Sequence, residues 1–304
     1  MAAIDRRAAI HGGGRAGRRS DGLEEELAGL DRLELPLKPV EGRLAALWAT
    51  TWPKLAAVVT VVAAWQLVVA SGWRPEYVLP SPLAVAERLA RDLSGNDLQA
   101  AIAITLRRAG LGFGLALAIG VGIGLAIVAS RRLRAAAASL VTGLQTMPSI
   151  AWFPFAILLF GLSETAILFV VVLGAAPSIA NGLIAGVDQI PRLILRAGRI
   201  LGARGWAWYR HVILPAALPS FVSGLKQGWA FSWRSLMAGE LLVIIAAQPS
   251  IGVRLQFARE LADAPGLLAA MLVILAIGIA VDGLLFGTLE RTVRQRWGLA
   301  EPRR

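Results

Sequence analysis

Side chains capable of chemistry are few in this chain and do not converge. It has no cysteine, which excludes disulfides, thiolate metal sites and cysteine nucleophiles, and its two histidines, His11 and His211, lie too far apart to suggest a metal centre. Gly12, Gly13, Gly14 and Gly17 approach a phosphate-loop spacing. However, Arg18-Arg19 stands where Lys-Ser/Thr is required, and no apolar strand precedes them. The chain therefore carries no nucleotide-binding cassette of its own. No group of carboxylates, histidines or an activated serine is arranged for acid–base or nucleophilic catalysis, so the sequence reads as a non-enzyme without cofactor or metal. What stands out instead is charge inside apolar runs: Lys226, Arg234, Glu240 and Asp282. An arginine at the centre of a bilayer costs about 2.5–3.5 kcal/mol, so Arg234 must face protein, water or a counter-charge.

The elements that must position these groups follow from composition. Of 304 residues, 56% are hydrophobic and 17% charged, with mean hydropathy +0.63, which is far from the balance of a soluble domain. The net charge of +11 comes mostly from arginines placed between apolar runs, leaving no basic face for nucleic acid. Spanning a bilayer takes about 20 apolar residues in a helix. Six segments qualify: 55–70, 109–129, 135–160 (interrupted at Pro148 and Pro154), 165–187, 219–247 and 266–289. The fold class is thus an all-α polytopic membrane protein. It divides into an amino-terminal tail (1–54), a first transmembrane helix (55–74), an outer amphipathic segment (75–108), a core (109–289) and a carboxy-terminal tail (290–304). Of the Lys and Arg residues outside the spans, 22 fall on one side and 7 on the other, which places both termini in the cytoplasm. Arg107 and Arg108 run against that rule.

Within the tail, 21–30 reads as a short helix. In the outer segment, Ser81-Pro82 reads as a helix start. Val85, Leu89 and Leu93 recur on one face, with Glu87 and Arg91 paired on another. Small residues recur through three spans: Gly110, Gly114, Gly120 and Gly124 (widened by Gly112 and Gly122), then Gly174, Ser178, Gly182 and Gly186, then Gly283 and Gly287. Such columns let backbones approach where lipid supplies no hydrophobic drive, and they also leave room for a solute. Pro148, Pro154 and Pro177 each free a carbonyl at membrane depth.

Loop 188–214 is basic and patterned. Pro191 opens a helix in which Leu193, Ala197, Ile200 and Leu201 share a face. Gly202 interrupts it, and a second turn carries Trp206, Trp208 and Tyr209, flanked by Arg204 and Arg210. Leu214-Pro215 ends the loop before the fifth span. Two readings are open: aromatic anchors for a groove on a soluble partner, or an aromatic belt at headgroup depth. Arg234 is likewise open to two readings. Together with Trp233 and Glu240 it borders a translocation path for an anion, or it forms a structural ion pair with Glu240 of a neighbouring segment or with Asp282.

This loop resembles the coupling loop of ABC importer permeases, whose pattern is Glu-Ala-Ala, three residues, Gly, nine residues, Ile, one residue, Leu-Pro. Here the pattern reads Arg196-Ala197-Gly198, Gly202 followed by Ala203, Val212, and Leu214-Pro215, with departures at Arg196, Gly198 and Val212. Leu79-Pro80-Ser81-Pro82, the run from Met147 to Pro154, Phe160-Gly161, the run from Trp233 to Glu240, Leu289-Glu290-Arg291 and Arg296-Trp297-Gly298 are similar to the nitrate/sulfonate/taurine branch. The resemblance covers about residues 75–300. It implies the type I importer permease fold in the bacterial inner membrane, and a subunit without catalysis of its own. It also implies three partners: cytoplasmic ABC ATPase subunits docking on Arg196–Pro215, an extracytoplasmic substrate-binding protein, and a second permease copy. The expected solute is a small anion such as a sulfonate, taurine or nitrate. A transporter driven by ion coupling, or a permease for a thiamine-precursor-like heterocycle, is the alternative.

Overall fold

Serine hydroxyls or an aspartate carboxylate start five of the described helices. Ser81, Ser130, Ser163, Ser250 and Asp263 each accept a hydrogen bond from the backbone N–H three residues on, at 3.0–3.4 Å, which satisfies donors that the helix cannot pair itself. The computed structural model describes residues 43–245 and 248–296. The expected helix over 21–30 and the motif residues Trp297-Gly298 lie outside them. The described helices are α1 (Arg43–Ala70), α2 (Pro82–Ser94), α3 (Asn96–Ala129), α4 (Arg131–Thr146), α5 (Phe153–Phe160), α6 (Glu164–Asp188), α7 (Arg192–Ile200), α8 (Gly205–Trp208), α9 (Leu214–Leu242), α10 (Ile251–Glu260), α11 (Ala264–Val281) and α12 (Gly287–Arg296). A 3₁₀ turn at Ser149–Trp152 precedes α5, and π turns at Tyr209–Ile213 and Asp282–Phe286 precede α9 and α12.

Among the described residues four stretches are long and apolar enough to cross a membrane: Thr51–Ala70, Asn96–Ala129, Glu164–Asp188 and Ala264–Arg296. The third expected span is broken into α4, the 3₁₀ turn and α5, as Pro148 requires. Pro154 does not kink it further, because it occupies the first turn of α5, where no N–H is needed. The fifth, α9, holds Lys226, Arg234 and Glu240 but has 29 residues, about 43 Å of helix. It lies antiparallel along all of α6. A Cβ at Gly186 would touch Ala217, one at Gly182 would meet Gly224, one at Gly174 would meet Ser235, and one at Gly239 would meet Ile167. Whatever depth α6 crosses, α9 crosses too.

Helix boundaries differ from expectation in an instructive way. The second span begins at Asn96, not at residue 109, because the polar stretch 96–108 continues the same helix. α9 begins at Leu214 rather than 219, and Pro215 sits harmlessly in its first turn. The α3 column that touches α6 is Gly112, Ala116, Gly120 and Gly124. A Cβ on Gly112 would lie 2.7 Å from Val171 Cγ1, and one on Gly120 2.7 Å from the Ala176 carbonyl, whereas Gly110, Gly114 and Gly122 face open space. α6 is thus the axis on which α3 and α9 pack. Phe113, Trp229, Trp233 and Phe286 interlock beside it through edge and stacked ring contacts 5.5–6.1 Å between centroids.

At the end of the bundle away from the α6–α9 connection, α2 is fixed by charge. Arg88 donates to Asp92 at 3.2 Å and to Asp263 at 2.6 Å, and Arg254 reaches Asp92 at 3.2 Å. The expected Glu87–Arg91 pair is not the one formed. Val85 is buried but Leu93 is half exposed. Partial desolvation works against the Arg88 charge, yet Asp92 and Asp263 more than offset it and raise its proton affinity.

The most buried charges form one hub. The Glu240 carboxylate accepts hydrogen bonds from Arg108 Nη1 (3.0 Å), Thr105 Oγ1 (2.9 Å) and the Gly252 backbone N–H (3.1 Å). The Ile251 N–H donates to Thr105 Oγ1 at 3.1 Å. Arg108 Nη2 donates to Gln248 at 2.7 Å, and its Nε lies 3.7 Å from Glu164. Arg108 is 1% and Glu240 0% exposed. The carboxylate therefore sits at the N-terminus of α10, on the free Gly252 N–H, where a negative charge is favoured. Arg107 pairs with Glu164 at 2.9 Å. These partners neutralise both arginines.

Two outcomes follow for stability. Gly182→Val should prevent assembly of α6 on α9 and abolish the folded protein, because its Cβ would meet backbone; Gly122→Val should leave detergent-phase thermal unfolding unchanged. Glu240→Ala should cost about 3–5 kcal/mol by leaving Arg108 buried and unpaired, while the double variant Arg108→Met/Glu240→Leu should lose less than either single change.

Candidate functional site: a basic knuckle joined to a polar helix face

The segment between α6 and α9 folds back on itself at Gly202, whose φ of +79° suits glycine. Gly202 N–H donates to the Arg199 carbonyl and Ala203 N–H to the Gly198 carbonyl, each at 3.0 Å, a paired closure that ends α7 cleanly. Gly205, at φ +54°, opens α8, which passes through the π turn into α9 without a break. The expected stop at Leu214-Pro215 is therefore absent: Pro215 follows the π turn, and its fixed φ fits the helix that continues.

The three aromatics divide their work. Trp208 is half-buried beneath the knuckle, where a Cβ on Gly198 would lie 3.0 Å from its Cζ3 and 2.8 Å from Val212 Cγ2. Arg199 stacks over the Trp208 ring at 5.5 Å. Gly198 and Val212, two of the departures from the motif, thus touch: the smaller residues make room for the indole. Trp206 (73% exposed) and Tyr209 point outward with Leu193, Ile200 and Leu201. Arg196, Ala197, Arg204 and Arg210 are exposed as well. Among the described residues, none of Arg192, Arg196, Arg199, Arg204 and Arg210 forms an ion pair with a carboxylate, and no acidic residue occurs between Asp188 and Glu240. An exposed apolar tip ringed by positive charge fits both readings of the loop, an anchor for a soluble partner or an aromatic belt at headgroup depth.

Residues of the expected path separate. Glu240 lies in the buried hub, bound to Arg108 and not to Arg234, and Asp282 takes Lys226 at 3.3 Å. The structural ion pair considered for Arg234 is therefore not formed, because α9 turns Glu240 and Arg234 to different sides. Trp233 is buried and stacked on Trp229, 6.1 Å between centroids, so it faces the bundle. Arg234 alone of the three is exposed. Its Nε donates to the Ala230 carbonyl at 3.0 Å, and its guanidinium lies 4.7 Å over the Phe231 ring.

Arg234 ends a stripe on α9 formed by Ser223, Gln227 and Ala230, all exposed and spaced to share a face. Toward the knuckle the stripe continues into a crevice lined by Asn181, Gln189, Ser220, Ser223 and Gln227. Beside it Asn181 donates to Gln145 at 2.6 Å, and Gln145 donates to Ser178 at 2.8 Å. The lining offers amides and hydroxyls but no carboxylate. The break before α5 packs at the α6–α9 interface: Ser149 lies against Gly174, opposite the buried Ser235. Irregular backbone at membrane depth is tolerated where it lines a cavity. The amides at 145, 181, 189 and 227 were not singled out in the sequence. Their signal was isolation within apolar runs, on the face that the glycines leave free.

Comparison with known proteins agrees with this architecture. Residues 118–295 match the family model described as binding-protein-dependent transport system inner membrane component. The riboflavin transport system permease protein of Chloroflexus aurantiacus is 34% identical over 86% of this chain and 97% of its own length. The putative aliphatic sulfonates transport permease protein of Escherichia coli is 33% identical over 74% and 84%, and the taurine transport system permease protein of the same organism is 32% identical over 45% and 48%. In fold, the chain superposes on the methionine ABC transporter MetNI in its inward-facing form with a TM-score of 0.52 at 20% identity, over 63% of this chain and 92% of that one. This chain belongs to the inner-membrane components of binding-protein-dependent transport systems, the ABC transporter permeases.

Proposed function

We propose that the chain is the membrane-spanning subunit of an ATP-driven importer in the bacterial inner membrane, with both termini in the cytoplasm. Two copies enclose the path, cytoplasmic ATPase subunits grip the knuckle, and an extracytoplasmic binding protein delivers the solute to the other face. The observation that carries this reading is continuity: the outward Trp206 and the exposed Arg234 belong to one helical rod, running from α8 through the π turn into α9. Their separation of 28 residues is about 42 Å of helix. ATPase closure that displaces Trp206 moves a rigid lever whose far end borders the path, so hydrolysis elsewhere opens and closes this subunit. In that scheme Arg196, Ala197, Gly198, Gly202, Ala203, Leu214 and Pro215 shape the knuckle, Tyr209 and Trp206 anchor it, and Arg234 meets the solute.

The solute is a small anion such as an aliphatic sulfonate, taurine or nitrate. The support is Arg234, a guanidinium without a carboxylate partner on a face lined by neutral polar groups. A second reading, a heterocyclic solute, is favoured by the riboflavin relative. Uptake of labelled taurine and of labelled riboflavin by the same vesicles separates the two.

Proteoliposomes holding the permease, its ATPase and its binding protein should take up solute only with ATP; uptake that persists without ATP rejects the importer in favour of an ion-coupled carrier. Trp206→Ala should weaken ATPase docking by about 2 kcal/mol, roughly thirtyfold, as measured by co-purification and ATPase stimulation. Arg234→Gln should abolish uptake of the anion without lowering membrane abundance, and unchanged uptake removes Arg234 from the path.

A further inference from the structure

At the knuckle end of the bundle lies a crevice of about 450 Å³ that the transport scheme does not use. Its walls are Leu125 of α3, Leu183 of α6, and Leu214, Leu218 and Phe221 of α9; its one charged lining residue is Arg210 of the π turn. Leu183 seats there because Gly124 lacks a side chain: a Cβ at Gly124 would lie 2.9 Å from Leu183 Cδ2. The crevice is on the opposite side of α9 from the stripe of Ser223, Gln227 and Arg234. A volume of this size lined by hydrocarbon offers water no partners, and a polar solute gains nothing in it. Arg210 is exposed and forms no ion pair with a carboxylate of the described residues.

We infer that this crevice binds one anionic phospholipid, with an acyl chain between α3 and α9 and its phosphate on Arg210. Charge complementarity selects this occupant: hydrocarbon walls ending in a free guanidinium at the cytoplasmic membrane surface match the two halves of such a lipid. Because Arg210 lies in the turn that joins the knuckle to α9, the lipid stiffens the coupling rod at its joint. The inference rests on the reading that the knuckle lies at the cytoplasmic membrane surface.

The test uses the permease–ATPase complex in mild detergent, offered equal amounts of phosphatidylglycerol and phosphatidylcholine and weighed by native mass spectrometry. The intact protein should retain one phosphatidylglycerol per permease copy, preferred at least tenfold over phosphatidylcholine. Arg210→Gln should erase that preference, Arg210→Lys should restore most of it, and Leu218→Trp, which fills the crevice, should abolish retention. Equal retention of both lipids by the intact protein, or retention unaltered in both Arg210→Gln and Leu218→Trp, overturns the inference. So does a Leu218→Trp variant that dissociates the two permease copies while keeping its lipid, since the occupant is then a second copy. Placement is tested separately. The chain has no cysteine, so a single Arg210→Cys reports its side of the membrane. Labelling of that cysteine from outside intact cells overturns the transport scheme, whereas failed lipid retention with inside labelling overturns only the crevice assignment.

Discussion

A single buried carboxylate sets the geometry of this subunit. Glu240 lies near the end of α9, and its oxygens are held by a guanidinium from α3, a hydroxyl from α3 and the Gly252 N–H in the first turn of α10. Each of these donors would be costly to bury alone, and so would the carboxylate. Together they leave only the Arg108 Nε without a close acceptor, so α3, α9 and α10 have one low-energy arrangement. Gly252 is part of the same condition, since a Cβ there would collide with the Glu240 side chain and backbone.

Fixing the Glu240 end of α9 decides which way the rest of that helix faces. With Glu240 turned to α3 and the glycines at 224, 228 and 239 turned to α6 or to Phe153, the remaining side of α9 carries Ser223, Gln227 and Arg234. The exposed polar stripe thus lies off the surface that packs on α6. At the other end the same helix runs into the knuckle, where Gly202 reverses the chain and Trp208 fills the space that Gly198 leaves. The buried hub, the exposed polar stripe and the knuckle are thus all set by one helix, packed along α6 and fixed at its far end by Glu240.

Much of this was legible in the chain. Four of the six expected spans were evident from length and hydropathy, the break at Pro148 from the missing N–H, and the knuckle from the spacing of Gly202, Val212 and Leu214-Pro215. Arg107 and Arg108 announced themselves by defying the charge rule, but nothing local named Glu240 and Glu164 as their partners. The column on α3 was read as Gly110, Gly114, Gly120 and Gly124; the true contact row passes through Ala116, because alanine allows the same close approach as glycine and the phase of the helix is set by α6.

Composition and periodicity by themselves determined that this is a helical membrane protein with one patterned basic loop. Those properties depend on neighbours within a few turns, which the order of residues contains. Which charges pair, which tryptophan points inward, and whether Arg234 is free or neutralised were decided only by tertiary structure. Arg108 and Glu240 are 132 positions apart, and residues at such separations meet only when packed helices fix their rotation. The sequence carries the helices, but the close contacts at Gly182 and Gly224 set the angle from which every long-range partnership follows.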